Sequence, residues 1–202
     1  MTVLSFPSGI QIRAARFGLQ GNSQTFSSPL SGDTQTVAYP GARWVATFTL
    51  VPKKRDDMAE ITAFLANLQG VAGRFYGYDP NATTPRGIAT GTPLVNGASQ
   101  TGKTLVTDGW TTSQTGILKA GDYFQVNGEL KMVTADCNSD GSGNATISFT
   151  PALRDSPANN ATITVTNPKC IMRLDSDDQS TWDVSESGFY DISFSATEAF
   201  FS

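Results

Sequence analysis

Residues 42–50 read Ala-Arg-Trp-Val-Ala-Thr-Phe-Thr-Leu, and this stretch decides the fold of the chain. Its even positions from 44 onward carry Trp, Ala, Phe and Leu, whereas Val45, Thr47 and Thr49 stand between them. Successive side chains of a strand point to opposite faces of a sheet. The stretch therefore predicts a β-strand with one strongly apolar face.

The residues before this strand divide into a second strand and a polar stretch. Ile10, Ile12 and Ala14 alternate with polar residues, which predicts a first strand at 10–14. Residues 18–36 are rich in Gly, Ser, Gln and Thr, and they are too polar to form a core alone. This stretch is predicted to be either a hairpin arm or an extended loop.

The residues after 50 predict one helix and another strand. Apolar residues recur with helical spacing at Met58, Ile61, Phe64, Leu65 and Leu68. Asp57 and Glu60 have the spacing of an N-terminal capping box, and Gly70 fits the C′ position after the helix. A strand at 75–78 follows and ends at Asp79-Pro80, since proline cannot continue a central ladder. The order strand, strand, helix, strand is typical of a small α+β or sandwich unit.

The middle of the chain, from about residue 81 to about 168, shows no helical periodicity. Short strands at fairly regular spacing are predicted at 104–106, 117–118, 123–126, 130–134, 145–149 and 161–165, as in a small barrel. Alternation returns at 190–196 and resembles that of residues 44–50. We therefore expect a mainly β fold with one α-helix. A β-sandwich domain would comprise 1–85 and 168–202, and a small β-barrel domain, 86–167, would be inserted into it.

The Asn-Gly pair at 127–128 is the sharpest turn signal in the middle segment. A two-residue loop would place Glu129 and Lys131 on the face of Phe124. A three-residue loop with glycine in the left-handed position pairs Phe124 with Leu130 on one face. The second geometry is predicted, because it keeps the charged side chains off the apolar face.

Composition argues against most catalytic chemistry. The chain has no histidine, a net charge of −4 and two cysteines outside any CxxC spacing. We expect no enzyme activity, no catalytic residues, no cofactor and no metal, and no general affinity for nucleic acid. Cys137 and Cys170 are expected to be buried or half-buried thiols, although a disulfide between them stays open. Neither a membrane span nor a signal peptide is predicted, so a soluble chain is expected.

One loop matches the phosphate-binding pattern GxxxxGK[ST]. Residues 97–104 read Gly-Ala-Ser-Gln-Thr-Gly-Lys-Thr, with Lys103 in the place of the phosphate-binding lysine. That loop binds phosphate only when it joins a strand to the N-terminus of a helix. Residues 105–109 favour a strand and a turn, so the preferred interpretation is a hairpin loop.

Three other sets of residues could carry chemistry and receive structural interpretations. Asp136, Asn138, Asp140 and Gly141 match half of a calcium loop whose closing glutamate is replaced by Ile147, which indicates a polar turn. The acidic residues Asp175, Asp177, Asp178, Asp183 and Glu186 are interpreted as a solvated loop. The aromatic residues Trp110, Trp182, Tyr76 and Tyr78 could stack on sugars, but core or subunit-interface positions are favoured.

Taken whole, the sequence resembles the distal tail proteins of long-tailed bacteriophages. The similarity is carried by sequence texture at residues 42–48, 58–68, 73–76, 97–105, 118–128, 150–154 and 190–196. It spans most of the chain, and none of its motifs is diagnostic by itself. The resemblance implies a β-sandwich belt domain that forms a ring, usually a hexamer, with a small β-barrel facing outward.

The resemblance also implies a structural role in the virion. Such a ring connects the tail tube to the tail tip or baseplate proteins, so these proteins and further copies of the chain are the expected partners. The protein would be made in the bacterial cytoplasm and used in the phage tail, with the polar stretch 18–36 reaching a neighbour. Alternatives are another tail ring, at the tube or terminator, or a carbohydrate-binding module on a virion surface.

Overall fold

The computed structural model describes residues 2–200. It is 41% strand and 11% helical, and the predicted mainly β class with one α-helix is confirmed. In chain order the strands are β1 (Val3–Leu4), β2 (Ile12–Gln20), β3 (Ser23–Ser27), β4 (Thr34–Ala38), β5 (Arg43–Leu50), β6 (Lys53–Lys54), β7 (Arg74–Gly77), β8 (Gly91–Val95), β9 (Thr104–Trp110), β10 (Tyr123–Val126), β11 (Glu129–Val133), β12 (Ala145–Thr150), β13 (Cys170–Leu174), β14 (Asp183–Val184), β15 (Phe189–Asp191) and β16 (Ser193–Glu198). The helix α1 (Arg55–Leu68) lies between β6 and β7.

The largest sheet has six strands in the order β1-β7-β13-β16-β5-β2. Only the β1–β7 pair is parallel among its described pairs. The strand predicted from residues 42–50 is confirmed as β5, where Trp44, Ala46, Phe48 and Leu50 are buried. The residues between them are half-buried, so the alternation in the sequence corresponds to the two faces of the sheet.

Helix α1 packs its predicted apolar residues into the same core as that face. Met58, Ile61, Phe64, Leu65 and Leu68 are all buried in one cluster with the side chains of β5. The predicted capping box is wrong, because the helix begins at Arg55 and the Lys54 side chain makes no capping bond. Asp56 and Asp57 lie instead in the first turn, where their carboxylates oppose the positive end of the helix dipole. Gly70 follows the helix at φ +66, in the predicted C′ position.

The first predicted strand is displaced and longer than expected. Strand β2 covers Ile12–Gln20 and pairs antiparallel with β5, so it runs into the polar stretch 18–36. The rest of that stretch forms a two-stranded sheet of β3 and β4. We call residues 23–38 the arm. The polar stretch is therefore a hairpin.

A five-stranded sheet in the order β10-β11-β12-β9-β8 occupies the middle of the chain. Residues 161–164 lie between its two edges: the amide of Val95 donates to Ala161 O at 3.0 Å, and that of Gln125 donates to Thr164 O at 2.8 Å. The predicted strands at 161–165 and 117–118 form only isolated bridges. The sheet surrounds its own apolar cluster, which includes Phe124 and Phe149. The domain boundaries at 85 and 168 stay predictions.

The turn at 127–128 differs from the predicted one. Val126 pairs with Glu129 and Phe124 with Lys131, so the loop has two residues. Asn127 and Gly128 both have positive φ, at 50° and 76°, as a two-residue type I′ turn requires. The predicted three-residue loop is wrong. The two-residue loop places Glu129 and Lys131 on the same face as Val126 and Phe124.

The remaining strands β14, β15 and β6 form a small antiparallel sheet in that order. Phe189 of β15 pairs with Lys54, immediately before the helix. Within residues 2–200, no helix has the length and apolar character needed to cross a membrane.

Gly73 offers a test of the close packing at the end of the helix. A Cβ atom at Gly73 would overlap the backbone of Leu68, whereas nothing lies within 4 Å of a Cβ at Gly18. We expect Gly73→Ala to lower the free energy of unfolding by about 1–3 kcal/mol, the usual cost of overpacking. Gly18→Ala, the control, should change it by less than about 0.5 kcal/mol. Urea unfolding followed by circular dichroism measures both, and equal effects would contradict the packing.

Candidate functional site

Strand β11 turns two charged side chains inward. Glu129 and Lys131 are 3% and 0% exposed, and register places them opposite Val126 and Phe124, whose side chains belong to the core of the five-stranded sheet. Leu130, between them, faces the other way and packs in the core of the six-stranded sheet. The strand therefore joins two apolar clusters.

A compact ionic network satisfies the two buried charges. Lys131 Nζ lies 2.5 Å from Glu129 Oε2 and donates to Ala152 O at 2.8 Å. The Glu129 carboxylate also accepts the backbone amides of Arg154 and Asp155, at 3.2 and 3.1 Å. Burial lowers the pKa of Lys131, and the neighbouring Glu129 carboxylate opposes that shift. The buried pair is thus supported by main-chain groups on both sides.

Arg154 connects this pair to the six-stranded sheet. Its Nη1 donates to Glu198 Oε1 at 2.9 Å, and its Nε lies 3.8 Å from Glu129 Oε2. Glu198, at the end of β16, is buried and also accepts the amide of Trp44 at 3.1 Å. The indole of Trp44 in turn donates to Leu130 O at 2.9 Å. Two carboxylates and two cations therefore hold the two sheets together through specific bonds.

Aromatic packing completes this junction. The rings of Phe17 and Trp44 stack with centroids 5.4 Å apart, and Tyr123 meets both rings edge-on. Burial, together with the negative charge of the Asp79 carboxylate, raises the pKa of Tyr123 to about 12. We call Glu129, Lys131, Arg154, Glu198, Trp44 and Tyr123 the junction. The charged groups of the junction are bonded to one another and to main-chain groups.

Unlike the buried junction, the arm consists almost entirely of exposed residues. It continues the β2–β5 hairpin past an interruption at Gly21 and 40–42, where the Tyr39 amide still donates to Asn22 O at 2.7 Å. Register places Phe26 and Val37 on one face of the arm. Phe26 and Tyr39 are exposed, and Val37 is half-buried. The arm thus presents a face on which Phe26 and Val37 lie beside Gln24 and Gln35, and nothing in its own two-stranded sheet covers it.

Strand β2 is a second part of the molecule that has an open side, namely its outer edge. It is the last strand of the six-stranded sheet, and within residues 2–200 no further strand pairs with its outer edge. This edge is nine residues long and carries the exposed Arg13 and Arg16. An open edge of this length is a template for pairing with another chain.

The loop at 97–104 is a hairpin loop between β8 and β9, as its interpretation predicted. The Gln100 side chain fills it: Nε2 donates to Asn96 O, Gly97 O and Val106 O, and Oε1 accepts the Val106 amide at 2.6 Å. No helix follows Lys103 in the described chain, since strand β9 begins at the next residue. Within residues 2–200, the loop therefore lacks the helix N-terminus on which such phosphate binding depends.

The half-match to a calcium loop is a set of turns. Asp136 accepts the Ala120 amide, Asn138 accepts the Gly116 amide, and Asp140 accepts the amides of Ser142 and Asn144. These bonds to backbone amides lower the pKa of Asp140. Within residues 2–200, no group of three His, Cys, Asp or Glu residues could hold a metal ion.

The acidic residues 175–186 do not converge on one site. Asp177 accepts the Val71 amide at 2.9 Å, and Asp175 accepts the Thr197 hydroxyl at 2.6 Å. Asp178 accepts the Ser176 hydroxyl. Asp183 lies in the small sheet opposite Asp191, and Glu186 lies in the exposed β14–β15 loop. Asp175, Asp177 and Asp178 therefore each accept a bond from a different group.

The predicted aromatic candidates separate in the structure. Trp110 is 3% exposed and donates to the Thr107 hydroxyl in the core of the five-stranded sheet. Tyr76 and Tyr78 are half-buried, while Trp182 is exposed. Core packing is thus confirmed for Trp110.

The two cysteines are free and buried. Cys137 lies in the cluster of the five-stranded sheet and Cys170 in that of the six-stranded sheet. Burial raises the pKa of both thiols. The open question of a disulfide is thus answered in favour of two thiols.

Comparisons with known proteins assign no family to the chain. No protein-family model matches it, and no curated protein matches it either. The features that bear on function are therefore the geometry of the junction, the arm and the open edge of β2.

Removal of one charge from the junction should be costly. Lys131→Met leaves Glu129 buried with a carboxylate that has lost its closest cation. We expect a loss of about 3 kcal/mol in the free energy of unfolding. The double variant Glu129→Gln with Lys131→Met should recover part of that loss, and Lys119→Met, at an exposed lysine, should have little effect. Urea unfolding of the four proteins measures these values, and an unchanged Lys131→Met would argue against the network.

Tyr123 should titrate late in the folded protein. Because its pKa is raised from 10.0 to about 12, the hydroxyl stays protonated in the fold between these values and ionises in the unfolded chain. This contribution to stability is fully present below pH 10 and falls as pH rises towards 12. Tyrosinate absorbance followed above pH 10 should therefore show a late component from Tyr123. The component should be missing in Tyr123→Phe, and its persistence there would assign it elsewhere.

Proposed function

We propose that this chain is a structural virion protein that forms a ring at the distal end of a phage tail and connects the tail tube to the tail tip or baseplate proteins. The observation that carries the proposal is the arm, an uncovered hairpin on a well-packed body. The similarity of sequence texture to distal tail proteins supplies the biological setting. The proposal assigns the protein no catalytic role and no cofactor.

The arm needs a partner for a physical reason. An isolated two-stranded hairpin is marginally stable in water, and more strands or a packed face are required to hold it. The arm strands pair only with each other in the described sheets. Phe26 and Val37 share one face, and a neighbouring molecule would remove that apolar surface from water. This supports assembly as the role of the arm.

The open edge of β2 supports the same role. Strand β2 leads directly into the arm through Gly21 and Asn22, so edge and arm form one continuous border of the molecule. Proteins usually cover or interrupt such borders, and neighbouring subunits of a closed ring are one way to cover them. Further copies of the chain, usually six in rings of this kind, are the proposed partners.

The junction supports an adaptor between two different partners. An adaptor must hold two surfaces at a fixed angle, and the bonds from Arg154 to Glu198 and from Trp44 to Leu130 restrain the two sheets relative to each other. We therefore propose that the six-stranded part forms the ring and the five-stranded part faces outward. Tail tube and tail tip proteins would contact the two faces of the ring, in a protein made in the bacterial cytoplasm and used in the virion.

Replacement of the arm tests the proposal directly. Asn22 and Tyr39 already form a hydrogen-bonded pair, so residues 23–38 can be exchanged for a two-residue Asn-Gly turn without disturbing β2 and β5. Light scattering after size exclusion and electron microscopy should show closed rings for the natural chain. The shortened chain should be a monomer with an unchanged thermal midpoint, because both cores lie outside the arm.

The control variant is Val184→Ser, which removes an exposed apolar side chain from the small sheet instead of the arm. It should assemble like the natural chain. Rings that persist after removal of the arm would show that the arm does not drive assembly. A natural chain that stays monomeric at high concentration and is retained on a glycan array would replace the proposal with the carbohydrate-binding alternative.

A further inference from the structure

The tip of the arm presents one leucine to solvent from an ordered loop. Leu30 is 99% exposed, the highest value among the large apolar residues. The Ser28 amide donates to Asp33 O at 2.8 Å, and the Gly32 amide donates to Ser28 O at 3.0 Å. The Ser31 hydroxyl donates to the Asp33 carboxylate at 2.8 Å. The loop therefore holds an apolar side chain and a carboxylate at the apex of the arm.

A cleft of about 520 Å³ lies where the base of the arm meets the five-stranded sheet. Residues 39–42 form one side of it, and residues 150–154 and Lys103 form the other. Pro151 and Leu153 give it apolar lining, and Lys103 gives it a basic rim. A cleft of this composition suits an apolar side chain that carries a carboxylate beside it.

The tip of the same chain cannot occupy this cleft. Tyr39 lies at the base of the arm, and five paired residues separate it from the tip loop. At about 3.4 Å per residue the strands hold the tip roughly 17 Å from the base. Any tip that fills the cleft must therefore belong to another molecule.

We infer that the arm tip of one copy seats in this cleft of the next copy, with Leu30 against Pro151 and Leu153 and Asp33 near Lys103. The inference rests on the proposed ring and names the contact that builds it. Apolar surface matches apolar lining, and the acidic tip matches the basic rim. The contact joins two different surfaces of the chain, so it is head-to-tail and repeats from copy to copy. Such a contact closes into a ring when its rotation allows closure.

Disulfide trapping tests the contact. In Ser31→Cys with Tyr39→Cys, which keep Leu30, Asp33 and Lys103, neighbouring copies should form a bond between the tip and the side of the cleft, where Tyr39 is exposed. The two natural cysteines are buried and should not interfere. Non-reducing gels should show a ladder of trimers and larger species up to the full ring. Ser31→Cys alone should stop at dimers.

The matched control is Ser31→Cys with Ile88→Cys, since Ile88 is exposed but does not line the cleft. It should give no ladder. A second variant, Leu30→Ser, keeps both cores intact and should raise the concentration at which rings dissociate by about tenfold or more, as expected from loss of a buried leucine.

The results separate this inference from the proposed function. Rings without the ladder, an equal ladder in the control, or rings of unchanged strength in Leu30→Ser would overturn the tip-to-cleft contact and leave the ring in place. A natural chain that forms no ring under any of these measurements would overturn both.

Discussion

The buried charges of strand β11 constrain the rest of the structure. Glu129 and Lys131 face the core of the five-stranded sheet, so the residues between and beyond them must face outward. Those residues are Leu130 and Met132, which are apolar and pack in the core of the six-stranded sheet. A strand that is charged on its inner face and apolar on its outer face is stable only where a second body covers it. The docking of the two sheets follows from this one strand.

The ionic network contributes more to fixing one relative geometry of the two sheets than to the free energy of unfolding. A buried ion pair loses most of its Coulomb attraction to desolvation, and an apolar pair of similar volume often does as well. The network instead fixes the orientation of the two sheets. Arg154 contacts Glu198 on one side and Glu129 on the other. Trp44 donates hydrogen bonds to both Glu198 and Leu130. Any rotation between the sheets would break several of these bonds together and leave a buried charge unpaired.

The elements that were predicted correctly from the sequence are those in which the apolar residues of the pattern are also the buried residues. Residues 42–50 and the helical spacing from Met58 to Leu68 were enough, because each apolar side chain there is buried by one core. The turn at 127–128 was predicted wrongly, since the parity argument assumed that Glu129 and Lys131 face water. The alternative geometry was visible in the sequence, but its partners, Arg154 and Glu198, lie 25 and 69 residues away from Glu129 and carry no local signal. The length of β2 was missed for a related reason: its pairing with β5, not its own weak alternation, makes it a strand.

The distribution of unsatisfied groups supports the proposed role of the molecule in assembly. In the part of the chain that the structure describes, Arg74 Nε is the one buried side-chain nitrogen or oxygen without a hydrogen-bond partner. The loops that resemble phosphate and calcium sites are closed by their own side chains, Gln100 and Asp140 among them. Among the surfaces without a covering partner in residues 2–200 are Phe26 of the arm, the leucine at its tip and the outer edge of β2, and all three are suited to contact with protein.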